Sequence, residues 1–172
     1  ARMGRMRGRS FANRCRALGE AFNTPLPPTA FANPQLGAAN PDAATLLGLD
    51  PQVLHSPEFL AWASGNAEAP GSAPLAMVYS GHQFGGYTPQ LGDGRGLLLG
   101  QVRTPQGLID LHLKGAGKTP YSRFADGRAV LRSTIREYLA GEALHGLGVP
   151  TTRALALAGS GEPVIRDRVE TG

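Results

Sequence analysis

Leu97-Leu98-Leu99-Gly100-Gln101-Val102-Arg103-Thr104-Pro105-Gln106-Gly107-Leu108-Ile109-Asp110-Leu111-His112-Leu113-Lys114 is the stretch that decides how this chain folds. Leu97, Leu98 and Leu99, followed by Val102, form a short apolar run. Thr104-Pro105-Gln106-Gly107 has turn composition, and a second run covers Leu108 to Lys114. This pattern predicts a β-hairpin. Because side chains alternate along a strand, Ile109, Leu111 and Leu113 share one face of the second run, while Asp110, His112 and Lys114 share the other. Lys114 therefore sits on the polar face.

The period changes downstream. From about Asp126 to Gly146 the apolar positions Leu131, Ile135, Leu139 and Ala143 recur every four residues, which predicts an amphipathic helix. Asp126 is a good N-cap type, and Gly146-Leu147-Gly148-Val149-Pro150 provides a stop. Arg128, Arg132 and Arg136 form a second stripe at the same spacing. An exposed cationic face accounts for Arg132 and Arg136, whereas Arg128 stays open between that role and a phosphate contact. Thr152 to Ala158 and Pro163 to Ile165 are candidates for two further strands.

Upstream lies Tyr79-Ser80-Gly81-His82-Gln83-Phe84-Gly85-Gly86-Tyr87, leading into Leu91-Gly92-Asp93-Gly94-Arg95-Gly96. Glycine lets backbone N–H groups come close to an anion, so Gly92, Gly94 and Gly96 suit a phosphate-covering loop, although a tight turn uses the same residues. The succession carries more than the triplet alone. A glycine loop, a strand, a turn, a strand bearing Lys114 and a helix bearing Glu137 follow one another as in protein kinases, where a strand lysine holds phosphates and pairs with a helix glutamate. A lysine is a compact cation on a flexible stem, and a carboxylate partner fixes where that stem points.

Two neighbouring patterns carry no such reading. Gly115-Ala116-Gly117-Lys118-Thr119 resembles a Walker A loop, but the motif needs glycine where His112 stands, and Pro120 follows with no helical pattern. His55, His82, His112 and His145 lack the spacing of a zinc helix, so no metal site is expected from them.

Residues 17 to 75 hold Pro25, Pro27, Pro28, Pro34, Pro41, Pro51, Pro57, Pro70 and Pro74, so regular elements there must be short. Helices are expected from Pro41 to Leu49 and around Pro57 to Ser64, each with proline in its first turn. The formal charge is +4, but Arg2, Arg5, Arg7, Arg9, Arg14 and Arg16 crowd the first sixteen positions, leaving eleven basic against thirteen acidic residues in the body. Basicity is thus local, and nucleic acid is not the expected partner. The tail reads as a solvated, poorly ordered end, with a transit peptide as the alternative. No apolar run approaches bilayer length, so a soluble protein with no membrane partner is expected. Cys15, the single cysteine, excludes an internal disulfide. The chain begins at Ala1 and stops after Glu170-Thr171-Gly172 with no obvious cap, and is read as a fragment.

Three runs carry a resemblance: Tyr79 to Gly96, Leu113-Lys114-Gly115-Ala116-Gly117-Lys118-Thr119-Pro120-Tyr121-Ser122-Arg123, and Asp126-Gly127-Arg128-Ala129-Val130-Leu131-Arg132-Ser133-Thr134-Ile135-Arg136-Glu137. They closely resemble the selenoprotein O (SelO/YdiU) family. The resemblance implies an α+β, protein-kinase-like N-lobe over 76–172, an antiparallel sheet with a packed helix; on the reading of the residues themselves, a Pro-rich wrapping segment over 17–75 and the basic tail over 1–16 precede it. It implies transfer of AMP from ATP to Ser, Thr or Tyr hydroxyls of proteins, with the α-phosphate facing the acceptor and pyrophosphate leaving. Gly92, Gly94 and Arg95 resemble nucleotide-loop residues, Lys114 the phosphate-holding lysine, Asp126 and Gly127 a second nucleotide-contacting pair, and Glu137 the partner of Lys114. The family's aspartate base and its Mg2+ (or Mn2+) ligands lie further along, so no catalytic or metal residue is assigned here. The compartment implied is cytoplasmic in a bacterium and mitochondrial in a eukaryote. Two alternatives stand beside this reading, a non-catalytic nucleotide-binding or regulatory module and a basic nucleic-acid binder.

Overall fold

The computed structural model describes residues 11–172, which form a mixed α/β fold with antiparallel sheets and few helices. In chain order the elements are a 3-10 turn (Arg16–Leu18), β1 (Asn23–Pro25), β2 (Gln35–Ala39), α1 (Pro41–Leu46), a second 3-10 turn (Pro51–His55), α2 (Pro57–Ala63), β3 (Leu75–Met77), β4 (Gly81–Gln83), β5 (Gly86–Thr88), β6 (Gly96–Thr104), β7 (Gly107–Lys114), α3 (Leu131–Gly146), β8 (Ala156–Gly159), β9 (Pro163–Ile165) and β10 (Val169–Thr171). A four-stranded sheet runs in the order β1-β3-β6-β7, and two-stranded pairs join β2 to β8, β4 to β5 and β9 to β10.

The expected hairpin is β6–β7, in register from Gly96 opposite Lys114 to Thr104 opposite Gly107. Three consecutive leucines do not alternate, yet Leu97, Leu98 and Leu99 are all buried. A register shift between Leu98 and Gly100 reconciles the two, because a bulge breaks the period of two. Gly100 sits there at φ +141°, and a Cβ on it would lie 2.6 Å from the Phe11 ring.

The proline segment belongs to the core. Asn40 caps α1 by accepting from the Asp42 and Ala43 amides, Ser56 caps α2 by accepting from the Phe59 amide, and proline occupies the first turn of each helix. α1 stops sooner than expected because Gly48 adopts φ +64°. Leu47, Leu54, Phe59 and Trp62 from these turns pack with Ala76, Leu97, Leu99 and Leu111 of the sheet in one apolar cluster. β1 and β2 come from the same segment and pair with β3 and β8.

Three expectations need correction. The tail was expected to be loose through residue 16, but Phe11 bridges Val102, the Ala12 amide donates to Gln101 O at 2.8 Å, and the Arg14 amide donates to the Gln101 side chain at 3.0 Å. Residues 1–10 lie outside the described part. The long helix starts at Leu131, not Asp126, with Val130 at its N-cap position and no side-chain cap. Gly127 at φ +76° and Arg166 on the Asp126 carboxylate hold 126–130 as a loop. Finally, the stripe expected to be its packed face is not buried: no residue of α3 is buried, and Ile135 and Leu139 are 42% and 62% exposed.

Polar contacts hold α3 instead. Glu142 accepts from Arg153 Nη2 at 2.7 Å, from the Ala154 amide at 3.1 Å and from Asn40 Nδ2 at 2.8 Å, tying α3 to the approach to β8 and to the cap of α1. The bonds from Arg153 lead in lowering the Glu142 carboxyl from 4.5 to about 2. A carboxyl depressed in this way contributes stability that is present in full above its ordinary value and is lost as pH falls through the folded one. Glu142→Gln is expected to cost about 1–2 kcal/mol at pH 7, a figure between exposed and buried ion pairs. In thermal melts across pH, the gap from wild type should close as pH drops from 4.5 toward about 2. A gap constant over that range contradicts the assignment.

Candidate functional site

β7 sits at the edge of its sheet and ends on Lys114, which lies opposite Gly96 at the close of the glycine loop. The Lys114 Nζ donates to Glu137 Oε2 of α3 at 2.5 Å. Both side chains are about half exposed, at 49% and 47%. An ion pair so wet contributes at most about 1 kcal/mol to stability. Its effect is directional, holding the ammonium at one place on the surface.

The residues singled out in the sequence meet around this corner. Arg95 O accepts from the Gly115 amide at 2.7 Å and the Ala116 amide at 3.2 Å, so the glycine loop lies against the chain that leaves Lys114. The Gly117 amide donates to Gly127 O at 3.2 Å, bringing the Asp126-Gly127 loop to the same segment. The glycines also serve close packing. A Cβ on Gly92 (φ +71°) would lie 2.6 Å from the Tyr121 ring, and one on Gly94 would lie 2.9 Å from Tyr121 O. One side of the loop is thus committed to the 119–122 turn.

An open groove of about 830 Å3 runs beside the corner, walled by 108–115 and 151–158, and Arg95, Lys114 and Glu137 line it. Gly92, Gly94, Asp126 and Gly127 do not. The corner where Arg95 meets Lys114 is what the groove and the loop share.

The carboxylates nearby are already engaged. Asp126 pairs through both oxygens with Arg166, at 2.9 and 3.1 Å, and that guanidinium holds its carboxyl below the ordinary value. Asp93 accepts from the Met77 amide and the Tyr79 hydroxyl. Glu137 faces Lys114. Among the described residues no three His, Cys, Asp or Glu side chains converge on a metal position. Of the histidines, His82 packs edge-on to Tyr87, His112 lies 3.3 Å from Asp93, and His145 lies 2.9 Å from Arg153.

Arg128 is resolved as a brace: it donates to Thr29 O, Ala30 O and Gly115 O and stacks 4.3 Å from the Phe31 ring centre. Arg132 pairs with Glu170. The Walker-like segment is no phosphate loop, since Thr119 Oγ1 donates to Asp93 O at 2.6 Å and the Thr119 amide donates to Ser122 Oγ, with no helix following. Sequence reasoning placed Tyr79 and Asp93 in the glycine-rich run and His112 on the face of Lys114 but gave none of them a role, and it did not connect Arg166 to this region. The available signal was Asp93 itself, a charged residue set between two glycines.

With this geometry in place, comparison decides the family. The model described as protein adenylyltransferase SelO matches residues 6–171. The chain belongs to the SelO family. Curated relatives named protein nucleotidyltransferase YdiU include one from Pseudomonas fluorescens Pf-5, 57% identical over 95% of this chain and 34% of its own length. The relative from Azotobacter vinelandii is 54% identical over 98% of this chain and 35% of its own. That from Bordetella avium is 59% identical over 90% of this chain and 32% of its own. This chain therefore spans about a third of the length of the SelO-family relatives it matches. Among the described residues no helix is long and apolar enough to cross a membrane.

Proposed function

We propose that this chain is the ATP-binding part of a protein adenylyltransferase that moves AMP onto Ser, Thr or Tyr hydroxyls of other proteins, within a kinase-like N-lobe. The observation that carries the reading is the Lys114–Glu137 pair at 2.5 Å, set where the glycine loop closes and opening on a groove. A positioned cation and backbone N–H groups stabilise the charge that develops when a group is transferred at a phosphate. The names of the relatives and of the family support nucleotidyl transfer as the reaction class. In this reading Gly92, Gly94 and Arg95 cover the phosphates, Lys114 holds them, Glu137 steers Lys114, and Asp126 and Gly127 contact the nucleotide from the second loop. Arg166 already occupies the Asp126 side chain, so that loop acts through its backbone or after Arg166 lets go. Magnesium or manganese would neutralise phosphate charge when bound, held by ligands in the part of the relatives' length that this chain does not span.

The test uses a chain of that length with a protein acceptor and ATP labelled at either the α- or the γ-phosphate. Label from the α-phosphate alone is expected in the acceptor. Incorporation from the γ-phosphate instead would show a kinase and refute the reading. Glu137→Gln should reduce α-label transfer about tenfold while the fold persists, because it removes the steering charge and leaves the lysine. Transfer equal to wild type would remove Glu137 from the site.

A further inference from the structure

Asp93 stands between Gly92 and Gly94, yet its side chain is only 6% exposed and points into the protein. Its Oδ2 accepts from the Met77 amide at 3.0 Å and lies 3.3 Å from His112 Nε2, and its Oδ1 accepts from the Tyr79 hydroxyl at 3.0 Å. The backbone is held as firmly. The Asp93 amide donates to Met77 O at 2.9 Å, and Asp93 O accepts from Thr119 Oγ1 at 2.6 Å. Next to it Gly94 O accepts from Ser122 Oγ at 2.5 Å.

These bonds join three elements at one carboxylate: the end of β3, the glycine loop and β7. His112 belongs to the polar face of β7 that also carries Lys114, two residues on. Whatever fixes the loop to His112 therefore fixes the loop against the strand from which Lys114 projects. Glycines alone do not set that spacing, since they permit many loop conformations. A buried carboxylate does, because each of its donors loses a partner if the loop moves. Burial works to raise the Asp93 carboxyl, but the bonds from His112, the Met77 amide and Tyr79 outweigh it and hold the group charged below its ordinary value. Tyr79 is pushed up to about 12 by burial first and by Asp93 second, so it remains a donor.

We propose that Asp93 is a positioning residue for nucleotide binding: it sets the distance between the glycine loop and Lys114, and with it the fit of the phosphates between them. The inference rests on the ATP-binding reading above and adds a residue to it.

The experiment measures affinities of this chain for ATP and for adenosine by calorimetric titration, below the unfolding temperature of every variant. Asp93→Asn keeps the volume but offers one oxygen where two accept now. It should weaken ATP about tenfold or more and adenosine less than about twofold, because the loop meets phosphate and not the nucleoside. A purely structural role would weaken both ligands alike. His112→Leu, at a side chain 37% exposed, should lower ATP affinity severalfold with the same ATP-over-adenosine selectivity. The Asp93→Asn/His112→Leu double variant should bind ATP no worse than Asp93→Asn alone. Lys114→Met serves as the control. If it abolishes ATP binding while both Asp93→Asn and His112→Leu stay within about twofold of wild type, the positioning role is overturned and the ATP-binding reading survives. If Asp93→Asn fails to fold, His112→Leu decides by the same criterion. A wild-type chain that binds no ATP overturns both.

Discussion

Lys114→Met is expected to remove ATP binding, lowering affinity by about 100-fold or more, which corresponds to about 2.7 kcal/mol and lies within the range of a hydrogen bond to a charged group. Methionine keeps much of the length of the stem and none of the charge. The triphosphate then meets Glu137 without its counter-charge, so an attraction becomes a repulsion. Because the pair is half exposed on both sides, its loss costs the fold at most about 1 kcal/mol, and the thermal midpoint should move by no more than about 4 °C. The comparison to make is Lys118→Met, four residues on, at an exposed lysine whose Walker-like setting is a structural turn. Titration should show binding lost in the first variant and kept in the second. The reverse pattern would move the phosphate site to the 115–119 turn.

Gly127→Ala carries the largest expected effect on stability, about 3 kcal/mol or more. Gly127 has φ +76°, where a Cβ is strained, and the added atom would lie 2.0 Å from Gly117 O and 2.5 Å from the Lys118 amide nitrogen. Those are backbone atoms of the chain leaving β7, so no rotamer change relieves the contact. The 126–130 loop has to part from 115–117, breaking the Gly117 amide bond to Gly127 O and straining the Arg128 bond to Gly115 O. Gly146→Ala at the end of α3 is the contrast, since a Cβ there meets nothing within 4 Å. Denaturant unfolding should show a steep loss for Gly127→Ala and none for Gly146→Ala. A loss below about 1 kcal/mol at Gly127 would mean that the two loops do not touch as described.

What the sequence made legible follows from element length. The β6–β7 hairpin is long enough for alternation to show, and α1 and α2 announce themselves by capping residues and proline. Strands of three residues, such as Asn23–Pro25 and Gly86–Thr88, are too short for any period, and β1 even contains proline at its end. The start of α3 misled because Asp126 has the chemistry of a cap, while the deciding fact, an Arg166 forty residues away on its carboxylate, is nonlocal. The apolar period of Leu131, Ile135 and Leu139 is real as a pattern, but a helical period does not say what packs against it.

At the site, Lys114 and Glu137 were legible because the order of loop, strand, turn and helix constrains them to one corner. Asp93 was not, although it lies in the most conspicuous loop of the chain. Its partners Met77, Tyr79 and His112 are brought to it by the pairing of β3 with β6 and of β6 with β7, and the bulge between Leu98 and Gly100 shifts the register on which that convergence depends. No local pattern encodes such a shift.

The most direct measurement is an ATP titration of this chain followed by the backbone amide resonances of each residue. The account predicts saturable shifts concentrated at Gly92, Gly94, Arg95, Gly115 and Gly127, absent in Lys114→Met. Shifts confined to the arginine-rich first sixteen residues, or none at any ATP concentration, would contradict it.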